Sequence, residues 1–239
     1  MIYKIKKEAI EFRNELGFGN MDAINLKSLL LKLDIIAVFK PLSEKFSGMA
    51  VKTENKNFIL INSNHSIGRQ NFSICHELYH LYIQPDFSPH HCKAGSFDKD
   101  SNQEYLADTF ASYFLMPEDG ILSLIPDSEF KKDKINLDTI FKIEQYFGCS
   151  RLALLYRLFD MKLISQGKLE EYSQFVKSQA KQYGYPIDLY EAGNHGLIIG
   201  NYGSLAKYLY DKEKISEGHY HSLMLDIGFD ILNNNENAN

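Results

Sequence analysis

The chain has 239 residues, 44% of them apolar and 24% charged, with a formal net charge of -5. A chain of this length buries a sizeable core without staples. Its acidic balance argues against a protein built mainly to hold nucleic acid, and no apolar run approaches the roughly 18 residues that span a bilayer. Three widely spaced cysteines, Cys75, Cys92 and Cys149, exclude a disulfide framework and a CxxC zinc ribbon and fit a reducing compartment. Residues 1–15 are charged and amphipathic with no apolar signal core, so the expected location is cytoplasmic, with no membrane partner.

In chain order, apolar residues at Ile2, Ile5, Ala9, Phe12 and Leu16 follow helical spacing, and Gly17 and Gly19 end that helix. Residues 25–33 read as a short helix. Residues 35–39 form a β-branched and aromatic run closed by Pro41, a strand. Residues 49–51 and 58–61 flank a polar turn and read as a hairpin. A long helix is expected over 66–83, stopped at Pro85. Residues 84–101, with two prolines, two histidines and Gly95, read as a loop, or a loop with a short helix. Helices follow over 102–116, 135–147 and 151–163, then over about 169–182, 203–211 and 216–231. A short strand is expected at 197–199.

His76-Glu77-Leu78-Tyr79-His80 is H-E-x-x-H. Residues four apart on a helix share one face, one turn displaced, so two imidazoles can reach one tetrahedral metal. Glu77 lies beside them, angled past the metal, where it can take a proton from water instead of ligating. Ile67, Ile74, Leu78 and Leu81 form the opposite, inward stripe. The bland alternative is a surface helix with incidental His and Glu.

A hydrolytic site needs a third protein ligand and an open position. After His80 the chain reads Leu81-Tyr82-Ile83-Gln84-Pro85-Asp86, which excludes a nearby Gly and third His. Glu104, with Asp108 four residues later, fits the other pattern, a Glu on a second helix. Glu104, Ala107, Asp108, Ala111 and Leu115 share one helical stripe. Acids on such an apolar face need partners, and a metal and a ligating imidazole are suitable ones. Asp108 is therefore expected to accept the free ring N–H of a ligand histidine, His76 foremost. The bland alternative is an acid of the first helical turn plus a solvated Asp.

Phe72-Ser73-Ile74-Cys75-His76-Glu77-Leu78-Tyr79-His80, followed by Glu104-x-x-Ala107-Asp108-x-Phe110-Ala111-x-x-Phe114-Leu115-Met116-Pro117, resembles the ImmA/IrrE family of metallopeptidases. The likeness covers about residues 35–163. Tyr79 departs from it, standing where a small residue is common. The resemblance implies an α+β fold: a mostly helical zincin-like core with a small sheet beside the active helix. It implies His76, His80 and Glu104 as metal ligands, with zinc as the ion and manganese as the alternative, and Glu77 as catalytic base. It implies a regulatory endopeptidase whose protein substrate is a helix-turn-helix repressor of a phage or mobile element, or a stress regulator. The competing reading is a non-catalytic anti-repressor or DNA-associated regulator with a structural metal; the retained Glu77 argues against it, since a structural site needs no base.

The resulting division is a zincin-like domain over 1–125, a helix-turn-helix-like segment over 126–168 and a C-terminal helical region over 169–239. Ser150 is placed to cap the second helix of the middle segment. Arg151 and Arg157 there are candidates for touching phosphate, but the basic surplus is small, and direct nucleic-acid binding ranks below a helical pair packed on the core. His90-His91-Cys92 reads as a polar loop before it reads as a metal cluster. Cys75 reads as a buried thiol, and His219 and His221 as surface residues. By analogy of fold, the strand at 49–51 is an edge able to hold an extended peptide.

Overall fold

The computed structural model describes residues 2–85, 92–93 and 102–230. The chain opens with helix α1 (Ile2–Glu15) and α2 (Leu26–Lys32), followed by strands β1 (Ile35–Lys40), β2 (Phe46–Lys52) and β3 (Asn57–Asn62). Helix α3 (Ile67–Tyr82), the two-residue strand β4 (Cys92–Lys93) and α4 (Asn102–Leu115) come next. Then follow α5 (Glu118–Leu124), α6 (Leu137–Phe147), α7 (Arg151–Asp160), α8 (Gln166–Tyr172) and α9 (Val176–Gln182). Strand β5 (Ile198–Ile199), α10 (Tyr202–Asp211) and α11 (Glu217–Asp226) complete the described chain. The fold is α+β and mostly helical. Among the described residues no helix is long and apolar enough to cross a membrane.

The strands form one sheet in the order β4-β2-β3-β1-β5. The expected hairpin is present: β2 runs antiparallel to β3, with Gly48 opposite Ile61 and Lys52 opposite Asn57. The strand at 35–40 adds to its far side in parallel, Ile35 opposite Asn57 and Lys40 opposite Asn62. Being central, β1 is buried on both faces, which is why its sequence is a continuous apolar run without alternation. The expected edge at 49–51 is longer than anticipated and not wholly free. Strand β2 begins at Phe46, and its outer edge pairs with β4 at Phe46 and Gly48.

Helix α3 lies against this sheet and is fixed at both ends. At its start, a Cβ on Gly68 would come within 2.7 Å of the Ser150 amide nitrogen and 2.8 Å of the Cys149 carbonyl carbon. Glycine is therefore required where the first turn of α3 meets the turn between α6 and α7. The Asn71 side-chain amide donates to the Gly148 carbonyl at 2.7 Å across the same junction. At its end, the Lys52 ammonium donates to the Leu81 carbonyl at 3.0 Å, placing a cation on a helix C-terminus, where the dipole favours it.

Helix α4 packs between α3 and α1. Phe110 and Phe114 stack at 5.3 Å, and Phe12 of α1 lies 5.5 Å from Phe114. Arg13 is fully buried and donates to the carbonyls of Gly19 and Phe114. It thereby satisfies one of the terminal carbonyls of α4 that has no partner within the helix.

Two features of the α6–α7 pair decide what it can touch. The Ser150 hydroxyl accepts from the Ala153 amide at 3.3 Å, capping α7. The two arginines of α7, candidates for touching phosphate, are both buried. Arg151 is 4% exposed and donates to the Glu144 carboxylate and the Tyr172 carbonyl. Arg157 is 2% exposed and lies 3.8 Å over the Tyr113 ring. Both charges are spent on internal packing.

Other departures have local causes. The helix expected over 169–182 is two, because Phe175 adopts a left-handed conformation (φ 51°) that a right-handed helix cannot continue. Pro117 ends α4 but also starts α5, an extra helix, since proline is tolerated where a helix begins.

Candidate metal centre

Two helices supply the centre. From α3 come His76 and His80, one turn apart, 7% and 1% exposed. From α4 comes Glu104, in the first turn. The Nε2 atoms of the two histidines lie 3.1 Å apart. Glu104 Oε2 is 3.3 Å from His76 Nε2, and Glu104 Oε1 is 3.5 Å from His80 Nε2. One ligand atom from each residue falls within 4.8 Å of the others.

The far side of each ring fixes its tautomer. His76 Nδ1 is 2.8 Å from Asp108 Oδ1, and a carboxylate only accepts, so Nδ1 carries the proton. His80 Nδ1 donates to Gln84 Oε1 at 2.6 Å. With Nδ1 of each ring turned to its outer partner, Nε2 of each faces Glu104 and the other histidine. Two ring nitrogens and a carboxylate thus converge. Such a donor set could hold a cation. The separations fit one: ligand bonds of roughly 2.0–2.1 Å in a tetrahedron put neighbouring donors about 3.3 Å apart.

Local structure accounts for each placement. Asp108 follows Glu104 by one helical turn, on the same face, so one residue meets Nε2 of His76 and the other its Nδ1. Ala107 and Ala111, fully buried, let α4 approach α3 closely. Gln84 arrives by a different route. The α3 helix ends at Tyr82, and the amides of Ile83 and Gln84 both donate to the Tyr79 carbonyl at 2.9 Å. That tight closure turns the Gln84 side chain back onto His80.

Glu77 is 1% exposed and faces β2 at Gly48, where a built Cβ would lie 2.9 Å from Glu77 Oε1. Tyr79 is buried, packs 5.8 Å from Phe110, and donates its hydroxyl to Gln103 Oε1 at 2.9 Å. Burial pushes its phenol up to about 12. A large residue at this place therefore ties α3 to the start of α4. Cys75 is fully buried and burial pushes its thiol up, so it is an inert packing residue.

The structure brings together His76, His80, Glu104 and Asp108, with Glu77 on the adjoining side of α3. The reading of the sequence missed Gln84, Gln103 and Gly48. Gln84 carried a signal, its i,i+4 spacing from His80 continuing the spacing of the two histidines; Gln103 and Gly48 carried none without the packing. His90 and His91 lie outside the described residues. His219 is exposed, and His221 sits 3.2 Å from Asp230, in contact with neither Glu104 nor the two site histidines.

A comparison with protein-family models matches residues 32–159, more than half of the chain, to Peptidase M78, described as an IrrE N-terminal-like domain. No curated protein matches the chain.

Proposed function

Since this chain belongs to the Peptidase M78, IrrE N-terminal-like family, whose function is of metallopeptidase type, we propose that it is a metal-dependent endopeptidase acting on a regulatory protein. The observation that carries this reading is the convergence of two imidazole nitrogens and a carboxylate beside a buried Glu77. His76, His80 and Glu104 would hold the ion. Two imidazoles and one carboxylate suit zinc, with manganese as the alternative. When bound, such an ion supplies Lewis acidity, polarising an amide carbonyl and lowering the pKa of water.

The chain's own residues do the rest. Glu77 takes a proton from the attacking water and hands it to the leaving amine nitrogen. Asp108 and Gln84 hold the rings of His76 and His80 in one tautomer and orientation, with Asp108 also raising the basicity of its histidine. Burial of Glu77 under β2 keeps its carboxylate in one place.

The likeness of the two motif blocks to the ImmA/IrrE family supports a helix-turn-helix repressor as the substrate and a cytoplasmic setting. The burial of Arg151 and Arg157 supports recognition of protein in preference to nucleic acid. Incubating the purified protein with a helix-turn-helix repressor encoded beside it, with and without chelator, tests the reading. Discrete fragments that vanish with chelator are the expected result. An intact repressor under metal-replete conditions contradicts it.

A further inference from the structure

Strand β2 presents Gly48 and Ala50 to α3 at alternate positions, both buried. A Cβ built on Gly48 would fall 2.9 Å from Glu77 Oε1, 3.2 Å from the Leu60 carbonyl oxygen and 3.3 Å from Ile61 Cδ1. The first distance is closer than a carbon and an oxygen can pack. The other two belong to β3, which is held in register by the ladder with Gly48 opposite Ile61. The strand cannot retreat without breaking that ladder, and β4 pairs with Gly48 from the other edge. Two of the three neighbours are side-chain ends, and the Glu77 carboxylate is the nearer of them and the one inside 3.0 Å. Glu77 itself is 1% exposed.

We infer that Gly48 is a positioning residue for Glu77: the missing side chain at this point of β2 is the slot in which the Glu77 carboxylate lies, between strand and helix. The role of Glu77 as proton carrier rests on the function proposed above; the packing relationship does not. Glycine is used here for close approach alone, because Gly48 has no positive φ. A single methyl at this position displaces the carboxylate and leaves His76, His80 and Glu104 where they are.

The test is a double-mutant cycle on the full chain, using Gly48→Ala, Glu77→Ala and the pair, read by thermal unfolding and by Zn2+ affinity. Gly48→Ala is expected to lower Tm in the wild-type background and to lower it clearly less when residue 77 is already alanine. If Gly48→Ala fails to fold, folding of the pair shows the same coupling. Equal losses in both backgrounds, or failure of both to fold, would place the clash on the Leu60 carbonyl and overturn the inference. Zn2+ affinity of Gly48→Ala should stay within about threefold of wild type, because the ligands are untouched; a loss on the scale of a ligand-orienting residue, about 10- to 100-fold, would overturn it. On the neighbour-encoded repressor, Gly48→Ala should lower kcat by about 10² with KM little changed. Wild-type kcat in this variant would refute the positioning role while leaving the peptidase reading intact. Thermal coupling in a protein that cleaves nothing would refute the peptidase reading and leave the slot in place.

Discussion

Gln84 Oε1 lies 2.6 Å from His80 Nδ1, while His76 Nδ1 meets Asp108 Oδ1 at 2.8 Å. The two histidines of the centre are therefore held by different chemistry, one by a neutral amide from the end of their own helix and one by a carboxylate from the next. Both partners fix a tautomer; only Asp108 adds negative charge.

Removing either partner should weaken metal binding without abolishing it. Gln84→Ala and Asp108→Asn are each expected to raise the Zn2+ Kd by about 10- to 100-fold. Competition with a chromogenic chelator reads this directly. An affinity unchanged in Gln84→Ala would mean that the closing turn of α3, not the amide, orients His80.

The ion should also be a stabilising ligand. Binding to the folded state alone contributes about 4 kcal/mol at a thousandfold excess over Kd. Stripping the protein with chelator should lower Tm, and restoring Zn2+ should recover it. His76→Ala and Glu104→Gln should show little of this dependence. A Tm indifferent to metal in the wild type would count against a bound ion.

A third histidine, outside the centre, predicts a pH dependence. His65 is 6% exposed; its Nε2 lies 3.1 Å from the Glu44 carbonyl oxygen, and its Nδ1 has no hydrogen-bond partner among the described residues. Burial, with the Arg69 charge adding to it, holds its pKa below the ordinary value near 6.5. A histidine with a lowered folded pKa binds its proton first in the unfolded chain. Its contribution is thus present above about pH 6.5 and is lost as pH falls through the folded value. Urea unfolding at stepped pH should show wild type losing more stability on acidification than His65→Gln, whose amide can still donate to Glu44. Parallel slopes would refute this.

What the sequence showed and hid follows the range of the interactions involved. Helices α1, α3 and α4 were legible because their apolar stripes and stops are local, and His76, His80, Glu104 and Asp108 because i,i+4 spacing is local too. The parallel pairing of β1 with β3 was not, since it joins residues about twenty apart through no turn. Arg151 and Arg157 looked like surface charges until Glu144 and Tyr113 were placed beside them. Gly48 is invisible by itself: its meaning lies in a carboxylate 29 positions downstream that folding brings against it.

The measurement that bears most directly on the account is Glu77→Gln assayed for bound metal and for repressor cleavage in one preparation. The substitution keeps volume and hydrogen bonding but removes the base. With His76, His80 and Glu104 intact, metal stoichiometry should equal that of wild type while cleavage falls by about 10² or more. Cleavage at the wild-type rate with metal bound would take the proton transfer away from Glu77. No cleavage by either protein, with both still relieving repression in a reporter assay, would contradict the peptidase account and leave a metal-pinned anti-repressor.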